Sequence, residues 1–181
     1  MIQTSRLIIE YAQTEDLDDI YEYVSNKEVM KYEREDFPTK AKYEELLNYF
    51  IEHKLLYVIR LKDLPKVIGH IFLGKTNPAI NNEYNIGYIL NPLFHNKGYC
   101  SEASKAIINY AFLELHANRV RAACNPENIP SWKVMEKIGL KKEGYFKKRF
   151  FMKNDEFGHP IYTDQVMYGI HCSDWHIEKN K

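Results

Sequence analysis

Residues 83–111 constrain the fold of this chain more tightly than any other stretch. From Glu83 to Asn91 the residues alternate, with Tyr84, Ile86, Tyr88 and Leu90 facing one way and Glu83, Asn85, Gly87, Ile89 and Asn91 the other. That is the period of a strand whose two faces meet different surroundings. Leu93-Phe94-His95-Asn96-Lys97-Gly98-Tyr99-Cys100-Ser101-Glu102 follows, after which Ala103, Ala106, Ile107, Tyr110 and Ala111 recur at helical spacing. A strand, a glycine turn and a helix opening present several backbone N–H groups at the positive end of a helix dipole, which suits a phosphate or pyrophosphate. The single Gly98 satisfies neither G-x-G-x-x-G nor the P-loop pattern. The segment alone therefore leaves a phosphate grip and a plain strand-to-helix turn equally open.

Around this segment the pattern predicts a strand over Arg6–Tyr11, then a helix over Thr14–Val24 with Thr14 as its N-cap. A second helix is expected over Thr39–Ile51, after a polar, aromatic connector from Asn26 to Pro38. Leu55–Leu61 and Val67–Leu73 read as a hairpin turning at Lys62-Asp63-Leu64-Pro65. Val120–Cys124 gives a short strand, and Asn128 then caps a helix with Pro130 in its first turn that ends at Gly139. Tyr145–Met152 and Ile161–Ile170 suggest a closing hairpin. The expected architecture is a mixed α/β (α+β) arrangement, a mostly antiparallel sheet of about seven strands flanked by about four helices.

The 181 residues fit one domain, with no repeat and no long Pro/Gly/Ser linker to divide it. Lys plus Arg number 25 and Asp plus Glu number 25, so no net field favours nucleic acid or an anionic membrane. The basic and aromatic residues from Lys141 to Lys153 read as a strand with one solvated face. No apolar run approaches the roughly 20 residues that span a bilayer, and the opening Met1–Arg6 lacks the apolar core of a signal peptide. Cys100, Cys124 and Cys172 form no C-x-x-C pair, as expected of a reducing, cytoplasmic setting. His171, Cys172 and His176 offer three candidate ligands without a fourth, so no metal is expected.

Asn85 to Pro92 with Asn96 to Ala103 closely resemble the GCN5-related N-acetyltransferases, especially the RimJ/RimL-like branch that acetylates ribosomal-protein N-termini. Arg119-Val120, Asn125 to Leu140 and Glu143-Gly144 resemble the same branch in the same order, and Thr4 to Ile9, Asp164, Tyr168 and Asp174-Trp175 extend the likeness end to end. The family's Q/R-x-x-G-x-G/A loop is present here as His95-Asn96-Lys97-Gly98-Tyr99-Cys100. The resemblance implies a single N-acetyltransferase domain over residues 1–181, acetyl-CoA as co-substrate, an amine-bearing acceptor and room for a homodimer. The favoured acceptor is a protein or peptide N-terminus, and the alternative is a small amine such as a polyamine or an aminoglycoside. A non-enzymatic acyl-CoA sensor is the rival reading.

By that likeness the backbone N–H groups of Asn96, Lys97, Gly98, Tyr99, Cys100 and Ser101 hold the CoA pyrophosphate. Asn91 pairs with the pantetheine arm, and the N–H of Ile89 polarises the thioester carbonyl. Lys97 reads either as a phosphate contact or as an exposed turn lysine, and Lys133 with Lys137 as phosphate contacts or solvated helix residues. Asn128 is an N-cap, a pantetheine contact, or both. Where many family members carry a glutamate this chain has Asn85, and an amide cannot act as a base. Glu83, two residues earlier on the same face, is the expected proton acceptor through a water, with Asn85 orienting the amine. Met135 stands where a tyrosine often donates to the leaving thiolate, so Ser131 takes that role by resemblance. Tyr32, Glu33, Glu35, Asp36 and Phe37 are candidates for an aromatic, acidic acceptor wall.

Overall fold

A computed structural model of the chain describes residues 1–33, 39–76 and 82–175. Among them the order is β1 (Ile2–Gln3), β2 (Leu7–Tyr11), α1 (Leu17–Val24), α2 (Lys40–Glu52), β3 (Leu56–Leu61), β4 (Leu64–Lys75), β5 (Glu83–Leu90), α3 (Tyr99–Leu113), β6 (Arg119–Cys124), α4 (Ile129–Lys137), β7 (Lys141–Asn154) and β8 (Pro160–His171). The strands form one sheet in the order β1-β2-β3-β4-β5-β6-β8-β7. Every neighbouring pair is antiparallel except β5 and β6, whose parallel pairing requires the crossover that α3 supplies. Eight strands stand where about seven were expected, because Ile2 and Gln3 pair with Ile9 and Ile8 at the sheet edge. Two residues carry no readable alternation.

Capping contacts set where α1 and α2 begin. Thr39 accepts the Lys42 N–H with its hydroxyl and opens α2. Thr14, expected to cap α1, instead lies inside a short 3-10 turn, where Gln13 and Asp16 cap each other reciprocally. The Asp16 carboxylate accepts the Gln13 N–H at 2.9 Å and also pairs with Arg60, so Asp16 is buried and α1 starts one turn later.

Alternation on the strands feeds two cores. Tyr57 and Ile59 of β3, with Tyr84, Ile86 and Leu90 of β5, pack toward α3 and α4. Leu56 and Val58 face α1 and α2, where Ile20, Tyr23 and Val24 meet Tyr43 and Leu47. Ala103 and Ala111 on the buried stripe of α3 present little bulk, so the helix lies close to the sheet. None of the described helices is long and apolar enough to cross a membrane.

One polar group sits inside the second core. His70 on β4 is buried, with Nδ1 2.7 Å from the Tyr23 hydroxyl. Burial pushes its pKa down to about 4, so the ring stays neutral at physiological pH. In the unfolded chain the ring binds a proton below about pH 6.5, so between these values unfolding takes up a proton and folding loses stability as pH falls. The loss approaches roughly 3 kcal/mol by pH 4. Urea midpoints measured from pH 7 to pH 4 will fall less steeply for His70→Gln than for the unsubstituted protein.

Candidate active site

The site originates where β5 and β6 part. Glu83, Tyr84 and Asn85 pair with Arg119, Val120 and Arg121, and the pairing ends there. The ladder from β5 to β4 continues in unbroken register to Leu90. Its flanking bonds, Thr76 N–H to Glu83 carbonyl and Asn91 N–H to Ile68 carbonyl, fix which peptide groups face which neighbour. Odd-numbered residues of β5 turn their N–H and C=O groups toward β4. Those of Ile86 and Tyr88 turn into the gap left by β6. Ile89 and Asn91, expected to serve a ligand with their backbones, therefore face β4 instead. The Asn91 side chain is also engaged, accepting the Leu93 N–H and donating to Glu22. An alternation pattern assigns side chains to faces but does not say which edge of a strand loses its neighbour.

At the end of the gap lies the α3 N-terminus. Gly98, with φ +80°, is its N-cap residue, and no side chain caps the helix. Its first N–H groups have no intrahelical partner. Asn96 is also left-handed, with φ 60°, which folds Asn96 to Ser101 into a compact turn. The chain's own N-terminal segment clamps this turn. Thr4, Ser5 and Arg6 all bond to Glu102, Arg6 Nη1 donates to the Lys97 carbonyl at 3.0 Å, and the Arg6 guanidinium lies 4.5 Å over the Tyr99 ring. The Lys97 ammonium folds back onto the Leu93 carbonyl. A Cβ added at Gly98 would lie 3.9 Å from Lys137 Nζ. Of the two expected α4 lysines, Lys137 is the one brought to the turn. Cys100 packs against the core, and burial pushes its thiol up to about 12.

Tyr88 reaches across the gap, and its hydroxyl donates to the Ser131 carbonyl at 2.7 Å. This ties β5 to the first turn of α4. Asn128 caps that helix, accepting the Ser131 N–H at 3.3 Å. Burial holds the Cys124 thiol pKa above its usual value.

Glu83 does not join the cavity walls. Its carboxylate takes Arg119 Nε at 2.8 Å and lies 3.1 Å from Arg121 Nε, and Arg119 in turn pairs with Glu143. The expected proton acceptor is therefore the centre of an ion-pair network that fastens β5 to β6 at the last paired residues. Gly169 on β8 makes room for it, since a Cβ there would lie 2.3 Å from Arg119 Nη2.

A cavity of about 430 Å³ fills the gap and is lined from both faces of the sheet. Asn85, Tyr88, Cys124, Ser131 and Met135 line its centre, and an apolar lobe runs between α1, α2 and β4 past Tyr43, Phe50, Phe72 and His70. Two carboxylates line it, Glu33 and Asp164, and among the described residues no lysine or arginine does. The Tyr145 hydroxyl and the Lys148 N–H bond Asp164 and hold its pKa down. Glu33 keeps open surface, but the atoms crowded around its carboxyl raise its pKa. Tyr32, another wall residue and an expected one, donates to the Glu127 carbonyl. Glu35, Asp36, Phe37 and His176 lie outside the described residues.

The acetyltransferase (GNAT) domain family matches residues 6–141. The chain is a GNAT-family acetyltransferase. It is 37% identical over 175 residues to the uncharacterized N-acetyltransferase YnaD of Bacillus subtilis, covering 96% of this chain and 98% of that protein. A solved GNAT-family acetyltransferase from Bacillus anthracis superposes with a TM-score of 0.84 at 35% identity, over 95% of this chain and 98% of that one. Spermidine N-acetyltransferase from Vibrio cholerae, solved with CoA and spermine, has a TM-score of 0.79 at 23% identity, over 94% and 98% of the two chains, and shows the shared fold. The mixed α/β architecture described above is the GNAT fold.

Three contributors to this GNAT site were not assigned from sequence. Tyr88 was read as an inward residue of the alternation, Arg6 as part of a terminal signature, and His70 was not singled out. Each acts through a partner 43, 96 or 47 residues away, which local pattern does not encode. The Glu83 network carries a direct consequence. Glu83→Gln leaves Arg119 and Arg121 without their shared carboxylate, and denaturant melts will show a loss of about 2 kcal/mol.

Proposed function

We propose that the protein transfers the acetyl group of acetyl-CoA to a primary amine by direct attack, with both substrates bound at once. The observation that carries this reading is the cavity through the β5–β6 gap, lined from both faces, so that a donor and an acceptor arriving from opposite sides meet between Asn85, Tyr88 and Ser131. Cys124, the thiol on that wall, has a raised pKa and is a poor nucleophile, which favours direct transfer over an acetyl-enzyme.

Donor binding follows from the free backbone groups. The N–H groups between Asn96 and Ser101 receive the pyrophosphate, with Arg6 and Lys137 adding positive charge beside Gly98. The pantetheine arm pairs with the gap-facing backbone of Ile86 and Tyr88, in place of Asn91 and Ile89, and meets the Asn128 amide at the far side. A neutral amine attacks the thioester carbonyl while the Asn85 carboxamide orients it. The Tyr88 N–H stabilises the oxyanion as the C–N bond forms, and as the C–S bond breaks Ser131 passes its proton to the departing thiolate and takes one back from water. The proton released from the amine leaves through water toward Glu33, whose raised pKa suits it to accept one at working pH. A protein N-terminus and a small-molecule amine both present the same attacking nitrogen.

Initial rates measured as free-thiol release, with both substrates varied, will give intersecting rather than parallel lines. Thiol release in a burst without amine would overturn direct attack. Ser131→Ala will lower kcat about 100-fold with little change in the KM for acetyl-CoA. Gly98→Ala places a side chain at φ +80° on the pyrophosphate turn and will raise that KM severalfold while costing about 1 kcal/mol in stability. Equal kinetics in either variant would remove its role.

A further inference from the structure

A second cavity, of about 340 Å³, adjoins the first and carries the opposite electrostatic character. Phe72, Asn85, Ala123 and Gln165 line both. The first holds two carboxylates. The second is lined by Arg121, Arg149 and Lys75 and by no acid among the described residues.

Arg121 Nε is buried at 3.1 Å from Glu83 Oε1 without the alignment of a hydrogen bond. Glu83 is already shared with Arg119. Arg149 lies 4.8 Å over the Phe146 ring and makes no ion pair with a described residue. Two arginines line one cavity beside Asn85, the residue that meets the attacking amine, and their charge there draws an anion.

We infer that the second cavity is an anion pocket for the acceptor itself, so that the preferred substrate is a primary amine carrying its own acidic group a few ångström away. Asn85 and Arg121 are cross-strand partners, so their side chains leave neighbouring strands on one face of the sheet and serve amine and anion groups of one small molecule. An amino acid presents both groups in that way. The apolar lobe past Phe50 and Phe72 then takes the acceptor's side chain, and the neutral His70 at its wall adds no charge to that lobe. A polyamine could set its further ammonium groups on Glu33 and Asp164 in the first cavity, but it would leave the arginines of the second without a counter-charge. A free amino acid and a peptide beginning with an acidic residue share the required chemistry, and they separate by experiment.

This inference rests on the acetyl-transfer reading. The test uses the full chain with acetyl-CoA and follows thiol release with product mass. Acceptors are supplied in pairs, leucine against leucinamide and phenylalanine against phenylalaninamide. Short peptides beginning with glutamate or glutamine, and spermidine, complete the panel. The acid member of each pair is expected to exceed its amide in kcat/KM on the order of tenfold or more. That preference should collapse in Arg149→Gln through a raised acceptor KM and return in part in Arg149→Lys, with the KM for acetyl-CoA as the control for folding. Arg121→Lys gives a second, independent reading of the same preference. Preference for glutamate peptides over free amino acids identifies the peptide source, and the reverse identifies the small molecule. Faster acetylation of the amides or of spermidine, or an acid preference untouched by Arg149→Gln, overturns the anion pocket while leaving acetyl transfer in place. Absence of amine-dependent thiol release with every acceptor overturns acetyl transfer itself.

Discussion

Everything at the site depends on two strands that pair for three residues and then separate. Glu83, Tyr84 and Asn85 are held against Arg119, Val120 and Arg121, and beyond them the backbone of β5 loses its neighbour. Unpaired strand edges are costly when buried, because their N–H and C=O groups need partners. Here the exposed edge opens into a cavity instead, where a ligand with amide groups can complete the sheet. The parting has to be held open and fixed in place. Glu83, gripped by two arginines, fastens the closed end, and Tyr88, donating to the Ser131 carbonyl, sets the distance of α4 across the open end.

That arrangement explains why Glu83 is placed on the right strand face yet serves poorly as a proton acceptor. The Glu83 carboxylate is occupied by Arg119 and Arg121 and does not line the cavity. The groups that do line it differ in character from side to side. Glu33 and Asp164 attract a cation on one side of Asn85, and Arg121 and Arg149 attract an anion on the other. A neutral histidine and several aromatic rings line the adjoining apolar lobe. In the proposed anion pocket these opposed charges would orient an acceptor as well as attract it.

The donor side is built differently, from backbone more than from side chains. The left-handed turn at Asn96 and Gly98 and the uncapped start of α3 leave N–H groups free, and the Thr4–Arg6 segment holds that turn through Glu102 from 96 to 98 residues away. Backbone geometry tolerates side-chain variation, which is why the family loop is recognisable here although His95 and Cys100 depart from its usual residues.

Much of this was legible in the amino-acid order, and the limits follow from what local pattern can encode. Period-2 alternation marked β5, helical spacing marked α3, Thr39 and Asn128 announced α2 and α4, and Gly98 marked the turn between strand and helix. These features arise from interactions within a few residues, so sequence alone determines them. The two-residue β1, the reciprocal cap that displaces Thr14, and the orientation of the Ile89 and Asn91 peptide groups were decided by pairing with distant strands. The same holds for the site. Asn85 and Ser131 were identifiable as residues. Which carboxylate is consumed by arginines, which lysine reaches Gly98 and which cavity holds the positive charge depend on contacts between segments dozens of residues apart, and only the folded sheet brings those together.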